Sequence, residues 1–370
     1  MAPRRPGGAG AFPEPVEPPG TPRPDPASLY AALDLGTNNC RMLIAQPKGA
    51  QFHVIDSFSK SVQLGHGLEA HGRLSRASMS RTIQALQICR RKIDQHAVTR
   101  MRLVATEACR RASNAADFLR YVRRETGLSL EIIAPEEEAR LAVVSCAPLV
   151  STRTEQLLVV DIGGGSTELV WIDLSAVPRP ERPRAIMRLH AGFHPPDSPF
   201  PAAKVVDWIS VPLGVATLKD QFSDVEDDAA RFALMSWHFE ENLADFSPSS
   251  TSQPRDGFQI IGTSGTVTTV AASHLGLKRY DRTKVDGLRM TTDQIDKVIR
   301  DYLNLGPEGR RVDPRIGRDR HSLIMSGAAI LQALMRIWPT DRLSVADRGL
   351  REGLLYAQMS VDGVLEGGPF

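Results

Sequence analysis

The sequence predicts an α/β protein made of two similar halves that face each other across a cleft. Three observations carry this. The stretch Leu157–Trp171, LLVVDIGGGSTELVW, runs apolar up to Asp161, turns through Gly163, Gly164, Gly165 and Ser166, and returns as a second apolar run after Glu168. That pattern is a strand, a glycine turn and a returning strand. Ala31–Ala45, AALDLGTNNCRMLIA, repeats the design 127 positions earlier, with Asp34 before Gly36, Thr37, Asn38 and Asn39. Downstream of both hairpins, strand-length apolar runs alternate with stretches of helical spacing. A duplicated unit whose halves grip one ligand from opposite sides explains all three.

In the first half, residues 29–35 and 40–46 form the hairpin, Pro47–Ala50 a turn, and Gln51–Phe58 a third strand by alternation. Leu74–Ala97 is helical, with Ile83, Leu86, Ile88 and Ile93 on one side. Arg102–Thr106 reads as a strand. Ser113 is placed to cap a helix running to Arg124 that Gly127 ends. Leu128–Ala134 is a further strand, and Pro135 opens a helix at its first position. The order is an antiparallel meander followed by crossovers that extend the sheet.

The second half begins alike, with strands Leu157–Asp161 and Thr167–Asp173. Residues 178–201 then hold seven prolines and little pattern, which predicts a mobile insertion, about 176–204 with its edges. Asp207–Val211 resumes as strand, followed by helices at Leu213–Phe222 and Asp227–Ala244. Phe258–Ile261 is a strand leading into Gly262, Thr263, Ser264, Gly265 and Thr266, which open a helix. Thr291–Leu303 is an amphipathic helix with Thr292 as its expected cap. Ser322–Trp338 is a long apolar helix, Arg342–Val345 a short strand and Gly349–Met359 a last helix.

Composition bounds the rest. A chain of 370 residues holds about two domains. These are placed at 29–150 and 151–360, between a Pro/Gly-rich disordered tail at 1–28 and a C-terminal tail at 361–370. The net charge of +2 gives no bulk field for nucleic acid. No apolar run reaches the ~18 residues of a membrane span, and the first 27 residues lack the apolar core of a secretory signal. Cys40, Cys89, Cys109 and Cys146 show no metal or disulfide spacing. Buried free thiols in a reducing cytoplasm are therefore expected.

Three consecutive glycines can turn sharply and leave backbone N–H groups pointing at a ligand, an arrangement that suits phosphate oxygens. Asp161 and Glu168 flank that turn, and two acids beside a phosphate cradle are a natural seat for Mg²⁺. A plain hairpin with a flexible tip explains the same residues. The second copy at Gly36, Thr37, Asn38 and Asn39 favours the phosphate reading.

The motifs LDLGTNNCRMLIA, ATEACRRASN, APEEEARL, VVDIGGGSTELV, SVPLGVATL and GTSGTVTTVAA stand in this order over residues 29 to about 358. On them the chain resembles the exopolyphosphatase / guanosine pentaphosphate phosphohydrolase family. The resemblance implies two ribonuclease-H-like domains of the actin, sugar kinase and heat-shock ATPase group, with an interdomain cleft. Some relatives carry an additional C-terminal helical domain, and this sequence looks like the short, two-domain type. It further implies hydrolysis of a terminal phosphoanhydride with Mg²⁺, a step that depends on positioning and charge neutralisation.

The family's catalytic Glu precedes a small residue and Arg, which here is Glu138-Ala139-Arg140. The resemblance therefore points to Glu138 as the base, with Glu137 as its near neighbour. Acids after Pro135 also simply favour a helix N-terminus. Arg110 and Arg140 are the expected charge clamps, with Arg111 competing for the place of Arg110. Asp161, Glu168 and Asp34 are the expected metal carboxylates, although short acids also cap turns. The loop Gly262, Thr263, Ser264, Gly265 and Thr266 would cradle phosphate at a helix N-terminus or serve as a tight packing turn. Asp347–Gly353 reads as a packing and ion-pair element. Lys278, Arg279, Arg282 and Lys284 would line an entrance, and His66 lies in a glycine-flanked loop of the kind that edges a cleft.

The expected substrate is inorganic polyphosphate, with guanosine pentaphosphate as the alternative and a homodimer as the one protein partner considered. Two readings from other classes are a slow nucleotide-binding regulator and a kinase of the same fold group. The first is opposed by Glu138, Asp161 and Glu168 standing together in one chain. The second is opposed by the Glu-x-Arg element, because a kinase must keep water from the phosphate.

Overall fold

The first hairpin forms where the sequence places it. In the computed structural model, which describes residues 28–193, 202–248, 257–317 and 320–365, β1 (Tyr30–Leu35) and β2 (Asn39–Lys48) pair antiparallel, with Asp34 opposite Arg41. β3 (Gln51–Ser61) pairs with β2, and β4 (Arg100–Ala105) runs parallel to β1. β5 (Glu131–Ile132) completes a sheet of order β3-β2-β1-β4-β5. The Pro/Gly-rich tail lies outside the described residues up to position 27, as do residues 366–370.

The second half repeats the order. β6 (Gln156–Ile162), β7 (Thr167–Asp173) and β8 (Lys204–Val211) form its meander. β9 (Phe258–Thr263), β10 (Arg289–Met290) and β11 (Leu343–Ala346) extend it to β8-β7-β6-β9-β11-β10. Its first five strands match the first sheet one for one. The duplication read from two Asp–Gly turns is thus a duplication of topology.

Alternation along these strands sorts the molecule into layers. Ala31, Leu33, Met42 and Ile44 face a core built with helices Arg76–Gln95 and Ala115–Thr126. Leu158, Val160, Leu169 and Trp171 face a core with helices Asp228–Glu241, Gly265–His274 and Ile324–Ile337. Tyr30, Ala32, Leu43 and Ala45 of the first sheet share the third core with Leu157, Val159, Val170 and Ile172 of the second.

That middle core is filled by two helices that have changed sides. Pro135–Ser145 follows the first sheet in sequence and packs on β6 and β7. Leu350–Val361 follows the second sheet and packs on β1 and β2. The two cross so closely that a Cβ on Gly353 would stand 2.0 Å from the carbonyl oxygen of Leu141. The far end of Leu350–Val361 is tied down by the Tyr30 hydroxyl, which donates to Asp362 at 2.7 Å.

Several local expectations are corrected. Ser113 does not cap a helix. Its hydroxyl donates to Gly72, and Asn114 precedes the helix Ala115–Thr126, which ends at Gly127 with φ 68° as expected. The strand expected at Leu128–Ala134 shrinks to two residues. The cap of Thr292–Val312 is Thr291, whose hydroxyl accepts from Gln294.

The first part of the supposed insertion is ordered core. Arg182–Arg188 is a helix, and Ile186, Met187, Leu189 and Phe193 are buried. Arg182, 3% exposed, donates to the carbonyls of Val177 and Thr152. Prolines at the first turn of a helix hide it from a pattern reading but do not break it. Residues 194–201 lie outside the described residues. The four cysteines are buried free thiols. Among the described residues no helix is long and apolar enough to cross a membrane.

Candidate active site

The two Asp–Gly turns meet. A Cβ on Gly164 would lie 3.2 Å from the backbone nitrogen of Asn38, and one on Gly165 would lie 2.4 Å from Thr37 Oγ1. Only glycines allow the turns this approach. Gly214 closes the triple-glycine turn from behind, where a Cβ would fall 2.5 Å from Gly164 and Gly165 backbone atoms. Each turn is pinned by one short-range bond, from Gly36 N to Asn39 O and from Gly163 N to Ser166 O, both 2.9 Å. Thr37 Oγ1 is buried at this contact without a hydrogen-bond partner. An orphaned hydroxyl beside glycine N–H groups suits an anion.

Around this contact stand buried carboxylates and the guanidinium of Arg110. Asp34 and Asp161 stand next to the ends of β1 and β6, the equivalent strands of the two sheets. Glu168 is the cross-strand partner of Asp161 and lies opposite Ser210, whose hydroxyl donates to it at 2.8 Å. Glu138 comes from the first turn of the swapped helix Pro135–Ser145. Arg110 donates to Glu138 Oε2 at 2.7 Å, to Glu107 Oε2 at 3.0 Å and to the Ile133 carbonyl at 3.0 Å. Arg110 and Glu138 keep only 13% and 12% of their side chains exposed.

Burial, and after it their mutual charge, raises the proton affinity of these acids. Burial, then the charge of Glu168, pushes Glu138 up to about 8. Burial, then Glu138 and Asp34, takes Asp161 to about 8. Burial and Asp161 take Glu168 to about 7. Burial raises Asp34 as well, against the charges of Arg41 and Arg351. The folded chain therefore holds extra protons between the ordinary carboxylate range and about pH 8. The stability this uptake contributes is full below about pH 4 and is lost as pH rises through about 7 to 8. Urea midpoints in metal-free buffer are expected to fall between about pH 6 and about pH 8.5. A midpoint that rises over this interval would mean the fold does not raise these acids.

Asp161 and Glu168 are the pair best placed for a cation, being hard oxygen donors on adjacent strands. Among the described residues no three His, Cys, Asp or Glu side chains are grouped as a ready cage. Mg²⁺ suits such a site, because it binds through one or two carboxylates and completes its shell with water and phosphate oxygens.

Not every residue singled out from sequence is brought here. Arg140 is turned away. It donates to the carbonyls of Leu189 and His190 and pairs with Glu137 at 3.2 Å, because two positions along a helix is about 200° of rotation from Glu138. Arg111 makes a two-pronged pair with Glu69, so Arg110 is the member of the doublet that faces Glu138. Thr167 is fully buried and donates to Leu213. Ser166 is buried and bonds the Glu168 carboxylate.

The third loop is used internally. Gly262 and Thr263 lie in β9, and Thr263 donates to the Arg348 carbonyl. Ser264 Oγ caps the helix by accepting from Val267, and Arg320 donates to the Gly265 carbonyl. Thr266 is buried against Gly327. His66 is exposed, while its neighbour Gly65 donates to the Thr37 carbonyl. Lys278, Arg279, Arg282 and Lys284 are exposed, and Arg282 reaches Asp347 and Glu352.

Three charged residues were missed. Arg41 sits opposite Asp34, where the first hairpin has a cation and the second has Glu168. The register of the turn held that signal. Arg351 and Glu107 complete the surroundings. Arg351 comes from Leu350–Val361, and Glu107 from the short helix Glu107–Arg111 after β4.

Fold and site together define a duplicated α/β protein with an acid-lined cleft between its halves. The chain belongs to the Ppx/GppA phosphatase family, whose model matches residues 43–361. It is 28% identical over 333 residues to a guanosine-5'-triphosphate,3'-diphosphate pyrophosphatase of Aeromonas salmonicida, a match covering 89% of this chain and 59% of that one. The chain thus spans about three fifths of the length of the curated relatives it matches. The Aquifex aeolicus Ppx/GppA family member superposes with a TM-score of 0.69 at 31% identity, over 90% of this chain and 97% of that one. An exopolyphosphatase of Cytophaga hutchinsonii shares the fold with a TM-score of 0.75 at 21% identity, over 92% and 100% of the two chains.

Proposed function

We propose that this chain is a phosphoanhydride hydrolase that removes the terminal phosphate of inorganic polyphosphate, with Glu138 as the base for the attacking water. The observation that carries this is the Arg110–Glu138 pair beside the meeting glycine turns. Arg110 holds Oε2 and leaves Oε1 to take a proton from water. The water oxygen then attacks the terminal phosphorus, the bond to the bridging oxygen breaks, and the shortened chain leaves as an anion. The glycine N–H groups and Thr37 Oγ1 would hold the terminal oxygens. Asp161 and Glu168, with Asp34 behind them, would hold Mg²⁺, which supplies charge neutralisation when bound. Free thiols agree with a cytoplasmic setting.

Guanosine pentaphosphate is the second reading, favoured by the name of the Aeromonas relative. It needs the same cleft and chemistry. Purified protein is to be given polyphosphate, then guanosine pentaphosphate, each with and without Mg²⁺, and released phosphate measured. Mg²⁺-dependent release from polyphosphate is expected. Release from the nucleotide alone transfers the assignment to the second reading, and release from neither removes both.

A further inference from the structure

The helix Leu350–Val361 brings a cation with one long ion pair into the cleft. Its first residues pass the third loop, where a Cβ on Gly349 would lie 3.3 Å from Thr263 Oγ1. Two residues beyond Arg351, Gly353 lies against Leu141 on the helix that carries Glu138. Arg351 is fixed between these contacts, and Asp34 and Arg41 both feel its charge. Its side chain is only 19% exposed.

Among the described residues no hydrogen-bonded anion holds this guanidinium. Among the described residues the one carboxylate within ion-pair reach is its neighbour Glu352, with Oε1 at 3.9 Å, too long for a hydrogen bond. Glu352 is committed elsewhere. Its Oε2 accepts from Gly349 N at 2.9 Å, and its Oε1 faces Arg282 at 3.6 Å. Arg41 has no ion pair among the described residues and adds a second positive charge, which acts on Asp34 and Asp161. Enclosed guanidiniums without hydrogen-bonded anions are costly, and a ligand that brings anionic oxygens removes the cost.

We infer that Arg351 is a substrate-binding residue that grips the phosphates behind the terminal one, an inference that rests on the hydrolase reading above. Arg110 stands on the Glu138 side of the cleft and Arg351 on the Asp34 side. A phosphate chain lying between them has its scissile end at Glu138 and its continuing anion at Arg351. The forked guanidinium fits two oxygens of one phosphate or one oxygen on each of two.

The test is steady-state kinetics of Arg351→Ala and Arg351→Lys on whichever substrate the wild type hydrolyses, with melting temperature as control. Arg351→Ala is expected to raise KM about ten- to a hundredfold while kcat changes less than about threefold. Arg351→Lys should recover part of the loss, and the KM of the wild type should rise more steeply with salt than that of Arg351→Ala. A wild-type KM in Arg351→Ala, or a loss confined to kcat, overturns the inference while leaving the hydrolase reading standing. No phosphate release by the wild type overturns the hydrolase reading instead. Should Arg351→Ala melt early, Arg351→Gln, which keeps the bulk, carries the same comparison, and inorganic tripolyphosphate binding to it must weaken by a similar factor.

Discussion

Glu138→Gln is expected to lower phosphate release by about 10²–10⁴ while sparing substrate binding. Gln keeps the size of the side chain and can still accept the Arg110 hydrogen bond, but it cannot take a proton from water. Its neighbour is the internal control. Glu137 points away from the cleft, pairs with Arg102 at 2.9 Å and Arg140 at 3.2 Å, and is half-exposed. Partly exposed pairs of this kind contribute about 0–1 kcal/mol, so Glu137→Gln should cost a small amount of stability and little activity. Phosphate release by both variants, with melting temperature alongside, separates a base from a residue that only favours the helix N-terminus. A dead Glu137→Gln beside a near-normal Glu138→Gln would move the base by one residue. Normal activity in both would remove it from this helix.

Gly353→Ala is expected to destabilise the protein by about 3 kcal/mol, the upper end of what an added methyl group costs in a packed interior. The clash is with the Leu141 carbonyl oxygen, which is backbone and cannot rotate aside. Relief requires two crossing helices to move apart, and both are packed on sheets. Ser360→Ala, on the same helix, is the contrast. The Ser360 hydroxyl is buried without a hydrogen-bond partner, so its removal should be neutral or slightly stabilising. Urea midpoints of the two variants decide the matter. A Gly353→Ala protein within about 0.5 kcal/mol of wild type would mean the crossing is loose.

The parts of this molecule legible in the sequence are those with a short local signature. Both hairpins, both glycine turns and the helix opened by Pro135 are contiguous patterns, and the structure has all of them. Glu138 and Arg110 were legible only through the family resemblance, and the structure brings them within 2.7 Å. Arg351 was read as part of a packing element, because nothing local says that a helix after the second sheet returns to the first. Arg41 was within reach, since a four-residue turn with residue 34 on one side places residue 41 opposite it. The helix Arg182–Arg188 was hidden by its prolines, and its anchor, Arg182, bonds to carbonyls five and thirty residues away. Arg140 was placed in the cleft by its motif, and helical geometry alone turns it out.

The exchange of helices between the halves bears on how the protein is born. Domains usually fold in the order they are synthesised, each finishing as it leaves the ribosome. Here the inner face of the first sheet, with Tyr30, Ala32, Leu43 and Ala45, is covered by a helix that ends at Val361. That face waits for about 200 further residues, on the order of 10–40 s at ordinary translation rates. Over that interval an apolar surface meant for the middle of the molecule has no covering, so the nascent first half is a natural client for a chaperone.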